Sequence, residues 1–153
     1  ANNDPAADYP AGLMALNATI VTNKRSIGAD DFFTGMFDTA LEDGELIVAV
    51  EIKAPSKSGY AKFPNPASRY AMTGVFVAKP GDGSVRVAVT GAGSGGVFRQ
   101  ADMEQALASN FSAGALDGIT VDDSDLMSDI HASSAYRANL VKVMAKRAVA
   151  AAG

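Results

Sequence analysis

A break at Pro55-Ser56-Lys57-Ser58-Gly59 divides the chain, because a proline, a glycine and small polar residues interrupt two strand-like segments. Residues 1–54 read as one unit and residues 59–153 as a second. Of the 153 residues 48% are hydrophobic, enough for a buried core in one domain or two small ones.

In the first unit, Asp4-Pro5 reads as helix cap and first helical residue. Tyr9, Leu13, Met14 and Leu16 then fall near one face, which predicts a helix over about residues 5–16. Residues 18–22 are rich in β-branched side chains, Asn23 supplies a turn and residues 24–27 return, so a tight hairpin closed by Gly28 is expected. Asp30-Asp31-Phe32-Phe33 opens a brief helical turn that Gly35 ends, and Asp43-Gly44 turns the chain into a strand over 45–52. There Leu46, Val48, Val50 and Ile52 alternate with Glu45, Ile47, Ala49 and Glu51, giving one apolar face.

In the second unit, strands at 60–63, 70–78 and 85–90 form a small antiparallel meander, the last two joined by Pro80-Gly81-Asp82-Gly83. One helix is expected over 101–110, with Met103, Ala106 and Leu107 at helical spacing. A longer one over 133–152 puts Tyr136, Leu140, Val143, Met144 and Ala148 on a single stripe. Two helices over one antiparallel sheet make the fold class α+β.

Composition narrows the function. Thirteen basic and 17 acidic residues give a net charge of -4 with no clustered basic stripe, so a nucleic-acid role lacks its electrostatic footprint. The absence of cysteine excludes a disulfide framework, a thiolate zinc site and an iron–sulfur cluster held by this chain. No apolar run is long enough to span a bilayer and no signal pattern opens the chain, so a cytoplasmic location is the default expectation. The first residue is Ala rather than Met, which reads as a processed or truncated product.

Gly91-Ala92-Gly93-Ser94-Gly95-Gly96 satisfies the G-x-G-x-x-G pattern, but a dinucleotide turn needs a helix to begin inside the motif. Val97-Phe98-Arg99-Gln100 intervenes and reads as extended, so a strand-to-strand loop is the expectation. Asp122-Asp123-Ser124-Asp125 lacks the glycine and the terminal glutamate of a calcium loop and is expected to cap a helix. His131, the single histidine, has no second imidazole with which to share a metal and is read as structural. At the start of the chain, Asn2, Asn3 and Asp4 offer amides and a carboxylate just ahead of a helix, suited either to plain capping or to the polar groups of a cofactor.

The run Asn2-Asn3-Asp4-Pro5-Ala6-Ala7-Asp8-Tyr9-Pro10 resembles the segment that follows a Thr-Ile-Gly-Gly-Ser turn in the FAD-binding subunits of the molybdenum hydroxylase family. That family includes the medium chain of aerobic carbon monoxide dehydrogenase and the FAD domain of xanthine dehydrogenase. The stretch from Arg25-Ser26-Ile27-Gly28 to Thr34-Gly35, residues 41–52, Tyr60-Ala61-Lys62-Phe63 with Pro66-Ala67-Ser68-Arg69-Tyr70, and Asp129-Ile130-His131-Ala132-Ser133 with Tyr136-Arg137 are similar to further segments of the same family, in the same order.

The resemblance implies a partial FAD-binding lobe, a helix plus short antiparallel strands, in residues 1–54. A C-terminal α+β domain with a three-stranded antiparallel sheet packed by helices would follow in residues 59–153. It implies a subunit that takes electrons from 2Fe–2S centres and passes them through FAD to an external acceptor. The molybdenum cofactor and the 2Fe–2S clusters would sit on partner subunits, a molybdopterin-binding large subunit and a small subunit, in a dimer of heterotrimers. By the same resemblance Asn2, Asn3 and Asp4 form the cofactor loop and Asp8 contacts the flavin. Ile47 packs near the isoalloxazine, and Lys62 places a cation near the ring oxygens. Both glycine-rich pyrophosphate loops of the family, and the Thr-Ile-Gly-Gly-Ser turn, fall outside this sequence, so weak or absent FAD binding and no substrate chemistry are expected of it alone. Two other readings stand beside this one: a cofactor-free interaction domain using residues 60–152, and a nucleotide-binding enzyme using Gly91 to Gly96.

Overall fold

The computed structural model describes residues 1–153. Helix α1 spans Tyr9–Ala15, strands β1 and β2 span Thr19–Thr22 and Ser26–Gly28, and a single helical turn, α2, spans Ala29–Phe32. Strands β3 (Phe33–Gly35), β4 (Asp38–Thr39) and β5 (Ile47–Glu51) follow. After the connection come β6 (Lys57–Pro64), β7 (Ala71–Lys79), β8 (Arg86–Thr90), β9 (Phe98–Arg99), α3 (Ala101–Ser109) and α4 (Ser134–Ala151). The architecture is the expected α+β mixture: a three-stranded sheet in the order β2-β1-β5, the hairpin of β3 and β4, and a four-stranded sheet in the order β6-β7-β8-β9, with every pairing antiparallel. The meander gains β9, a two-residue strand beyond the three expected.

The second sheet holds the main core. Val75, Val77, Val87 and Val89 pack with Val141, Met144, Ala145 and Ala148 of α4 and with Met103 and Leu107 of α3. Their neighbours in the strands point the other way by the period of two: Ala78 and Ala88, with Phe76 partly buried beside them, pack against Ala11, Met14 and Ala15 of α1. β7 and β8 are thus covered on both faces. Gly59 admits α4 at close range, since a Cβ there would overlap the Ala148 carbonyl. The buried stripe of α4 runs through Arg137, Leu140, Val141, Met144 and Ala148, so Tyr136, placed on it by spacing, is instead 44% exposed.

Several expected boundaries move for identifiable reasons. The predicted helix over 5–16 separates into a turn at residues 4–7, where Asp4 Oδ1 accepts from the Ala6 amide, and α1 itself. Of two prolines able to occupy a first turn, Pro10 takes the second position of α1, after Tyr9, where its missing N–H costs nothing. The break expected at 55–59 shifts to residues 52–56, since Lys57, Ser58 and Gly59 already pair with Lys79, Ala78 and Val77. Asp122 accepts from the Ser124 amide in a local turn, and Ser133, accepting from the Tyr136 amide, caps α4 instead of the acidic run.

The apolar alternation expected over 45–52 is broken by a bulge. Val50 lies opposite Ile20 and Ile47 opposite Thr22, so two residues three apart fall on the same side of the sheet. Leu46, Val48, Val50 and Ile52 all remain exposed, whereas Glu45 is buried.

Glu45 is the polar knot of the first unit. Its Oε1 accepts from the Thr22 hydroxyl at 2.7 Å and from Arg25 Nε at 3.0 Å, and its Oε2 accepts from Arg25 Nη2 at 3.0 Å and the Glu42 amide at 2.8 Å. The Arg25 hydrogen bonds, then the Glu42 amide and the Thr22 hydroxyl, hold the Glu45 carboxyl down at about 2. Its folded value lies below the unfolded value of about 4.3, so its contribution to stability is complete above that value and is lost as pH falls toward about 2. Glu45→Gln is therefore expected to lower the thermal midpoint at neutral pH and to flatten its decline between about pH 5 and pH 2. Melting curves followed by circular dichroism across that range check this; an unchanged acid limb in the variant would contradict it.

Candidate functional site

The opening segment reaches the second sheet through main-chain carbonyls. Thr90 Oγ1 donates to Ala7 O at 2.6 Å and lies 3.1 Å from Pro5 O, which also accepts from the Gly91 amide at 2.7 Å. Asn3, held at φ 45° and only 4% exposed, donates from Nδ2 to Gly35 O at 2.5 Å and to Asp38 O at 3.0 Å, while its own carbonyl accepts from the Phe37 amide. Asparagine tolerates this left-handed backbone better than most residues. Its Oδ1 is buried and without a hydrogen-bond partner. Asn2 beside it is exposed.

Asp8, immediately before α1, meets β6. Lys62 Nζ donates to Asp8 Oδ2 at 2.8 Å and the Tyr60 hydroxyl donates to Asp8 Oδ1. Tyr60 and Lys62 are two apart in the strand and so share a face. The Tyr60 ring stacks on Phe76 with centroids 5.9 Å apart, and Gly74 across the ladder leaves room for its hydroxyl, which a Cβ there would overlap. Burial first, then the hydrogen bond and charge of Asp8, push the Tyr60 hydroxyl well above its ordinary value.

The site residues expected from sequence therefore separate into three places. Asp8 and Lys62 come together; Asn3 and Asp4 lie at the start of the same segment; Ile47 packs with Ile20 and Phe32 in the small core of the first sheet. Tyr60, Gly74 and Thr90 were not singled out by sequence. The period-two spacing of Tyr60 and Lys62 was a usable signal for the first, whereas Gly74 and Thr90 act through contacts across strands that no local pattern displays. A cleft elsewhere, lined by Asn17, Glu51, Lys53, Pro55 and Asp82 among others, contains none of these residues.

Gly91 to Gly96 is committed to packing. The Gly91 amide serves Pro5 O, the Ser94 amide serves Asp125 O and the Gly96 amide serves Gly93 O, so these donors are not aimed at a phosphate. The loop joins β8 to β9, and α3 begins only after Gln100. His131 is exposed two residues ahead of the α4 cap, and no group of three or more acidic or histidine side chains is arranged to hold a metal. No helix is long and apolar enough to cross a membrane.

Residues 1–55 match the family model described as the FAD binding domain in molybdopterin dehydrogenase. Over 166 aligned residues the chain is 34% identical to the nicotine 6-hydroxylase medium subunit of Paenarthrobacter nicotinovorans, covering 100% of this chain and 58% of that subunit. The chain is thus similar to an enzyme's medium subunit along its whole length, and to an FAD-binding domain over its first 55 residues. Further medium subunits show the same pattern: the carbon monoxide dehydrogenase medium chain of Hydrogenophaga pseudoflava is 25% identical over 99% of this chain and 58% of its own length. The solved structure of reconstituted CO dehydrogenase from Oligotropha carboxidovorans superimposes with a TM-score of 0.82 at 26% identity, over 99% of this chain and 58% of the matched one. The chain thus spans less than two thirds of the length of these relatives.

The Tyr60 geometry makes a measurable statement. In a spectrophotometric alkaline titration, one of the four tyrosines is expected to ionise well above the others, and Asp8→Asn should bring it down toward them. Four tyrosines titrating alike in the unsubstituted protein would exclude the Tyr60 to Asp8 bond.

Proposed function

We propose that this chain is part of the FAD-carrying electron-transfer subunit of a molybdenum-containing hydroxylase. In that subunit electrons pass from 2Fe–2S centres to FAD and on to an external acceptor. The observation that carries the reading is the placement of the segment from Asn3 to Asp8: it falls inside the stretch matching the FAD-binding family model, and it ends on a surface ammonium, Lys62. Under this reading residues 1–54 belong to the FAD-binding domain and residues 59–153 form the C-terminal domain. The large molybdopterin-binding and small 2Fe–2S subunits are the partners, in a cytoplasmic dimer of heterotrimers, and the choice of substrate lies with the molybdenum subunit.

The residues present fit one side of such a cofactor. The orphaned Asn3 Oδ1 is an acceptor awaiting a donor, and Asn2 stands exposed beside it. Lys62 is a cation able to lean toward developing negative charge on a flavin ring, and Asp8 orients it through their ion pair. Bound FAD would supply the capacity to accept and release electrons; the chain's own part is to position the ring and to offset its charge. Ile47, in the core with Ile20 and Phe32, acts in this reading by shaping the lobe from behind. Because these contacts form one wall only, residues 1–153 alone should bind FAD weakly.

The test is a flavin fluorescence titration of residues 1–153 and of the intact subunit. Weak or no binding is expected for the former and retention by the latter, with Lys62→Ala in the intact subunit weakening FAD about tenfold, the scale of one lost charge-assisted contact. An intact subunit that holds no flavin would overturn the reading.

A further inference from the structure

One row of residues crosses the larger sheet and ends beside Asp8. Lys62 lies directly opposite Gly74 in the pairing of β6 with β7, and Gly74 lies opposite Thr90 in the pairing of β7 with β8. Thr90 Oγ1 donates to Ala7 O at 2.6 Å, so this row fixes the backbone one residue ahead of Asp8. The next row on the same face sets Tyr60 opposite Phe76, and the two rings stack with centroids 5.9 Å apart. Gly74 lies against the Tyr60 hydroxyl, where a Cβ would overlap it. Tyr60 and Lys62, two apart in β6, thus reach from one face to the two oxygens of a single carboxylate.

The ion pair of Lys62 with Asp8 does not hold itself in place. Its side chains are 30% and 47% exposed, and a pair so open to water loses much of its attraction to screening and to the freedom of the long lysine chain. Tyr60 has no such freedom, because its stiff ring is held by Phe76 on one side and by the close approach of Gly74 on the other. Its hydroxyl donates to Asp8 Oδ1, which keeps the carboxylate from turning and leaves Oδ2 to Lys62 Nζ at 2.8 Å. The same bond draws on the negative charge of Asp8, so less of that charge is set against the ammonium. We propose that Tyr60 is a positioning residue for Lys62, fixing through Asp8 the direction in which the ammonium is presented. Its consequence for FAD rests on the flavin reading above: an ammonium placed in advance favours the reduced, more negative form of the ring over the oxidised one.

Competitive labelling of residues 1–153 with acetic anhydride, read lysine by lysine by mass spectrometry, tests the positioning. Tyr60→Phe keeps a ring on Phe76 and removes only the hydroxyl; it should raise the labelling rate of Lys62 at least about threefold while the other lysines keep theirs. Asp8→Asn should raise the Lys62 rate by at least as much. An unchanged Lys62 rate in Tyr60→Phe would overturn the proposal, and so would an equal rise at every lysine, which marks a loosened fold and not one lost contact. The second readout is the pair of dissociation constants for oxidised and reduced FAD in the intact subunit. Tyr60→Phe should weaken reduced FAD at least about threefold more than oxidised FAD, a selectivity that general loss of structure does not produce. Equal weakening of both forms would overturn the consequence drawn for FAD. An intact subunit that holds no flavin would sink the flavin reading alone, and the labelling of Lys62 then decides the positioning by itself.

Discussion

Arg86 is the interaction on which the joining of the two halves depends. It lies in β8, in the interior of the larger sheet, yet its side chain crosses to the elements of the first unit: Nε donates to Met14 O near the end of α1 at 2.8 Å, and Nη2 pairs with Asp30 of α2. Asp30 also takes Arg99 of β9 at 3.1 Å, and Arg99 is held in turn by Glu104 of α3, which accepts from the Val87 amide as well. A buried guanidinium is costly to desolvate and is retained only where its donors are met. Here it meets a carbonyl in the last turn of α1, which also accepts from the Asn17 amide, and a carboxylate shared with a second arginine. One cation therefore fixes α1 against the face of the sheet made by Ala78 and Ala88, and with it the position of Asp8.

That arrangement explains which parts of the fold were legible in sequence. Strands and helices whose burial is set by their own periodicity were readable: Val75, Val77, Val87 and Val89 alternate, and Leu140, Met144 and Ala148 repeat at helical spacing. What failed was what another element decides. The alternation of residues 45–52 looked like a half-buried strand, but the bulge opposite Thr22 reorders its faces, and the capture of Glu45 by Arg25 and Thr22 draws an acid inward where the pattern pointed out. The start of α1 was misplaced because Asp4-Pro5 and Pro10 are both valid first-turn signals, and only the tertiary use of the Pro5 and Ala7 carbonyls by Thr90 and Gly91 keeps residues 4–7 a separate turn.

The candidate site was legible to the same degree and for the same reason. Asp8 and Lys62 came from resemblance, and their meeting depends on α1 docking on one face of the sheet while β6 forms its edge. Tyr60 completes the set because a carboxylate with two oxygens can accept from both residues on that face of β6. Gly74 had no local signature: it is small because a hydroxyl on the adjacent strand occupies the space its side chain would fill.

The glycine run at 91–96 shows how a motif can be correct as a pattern and wrong as chemistry. A dinucleotide turn uses its glycines so that free amides meet a phosphate at a helix start. In this chain the glycines serve close packing of backbone on backbone: at Gly91 a Cβ would overlap Ala71 O, and at Gly93 it would overlap Gly96 O. Gly91 and Gly96 have φ of 79° and 101°, values open to glycine at little cost. The product of this packing is the seat of the opening segment, with Pro5 bonded to Gly91 and the Asn3 side chain lying against Gly96. The glycines therefore hold the opening segment in place, and their amides are spent on that packing rather than left free for a phosphate.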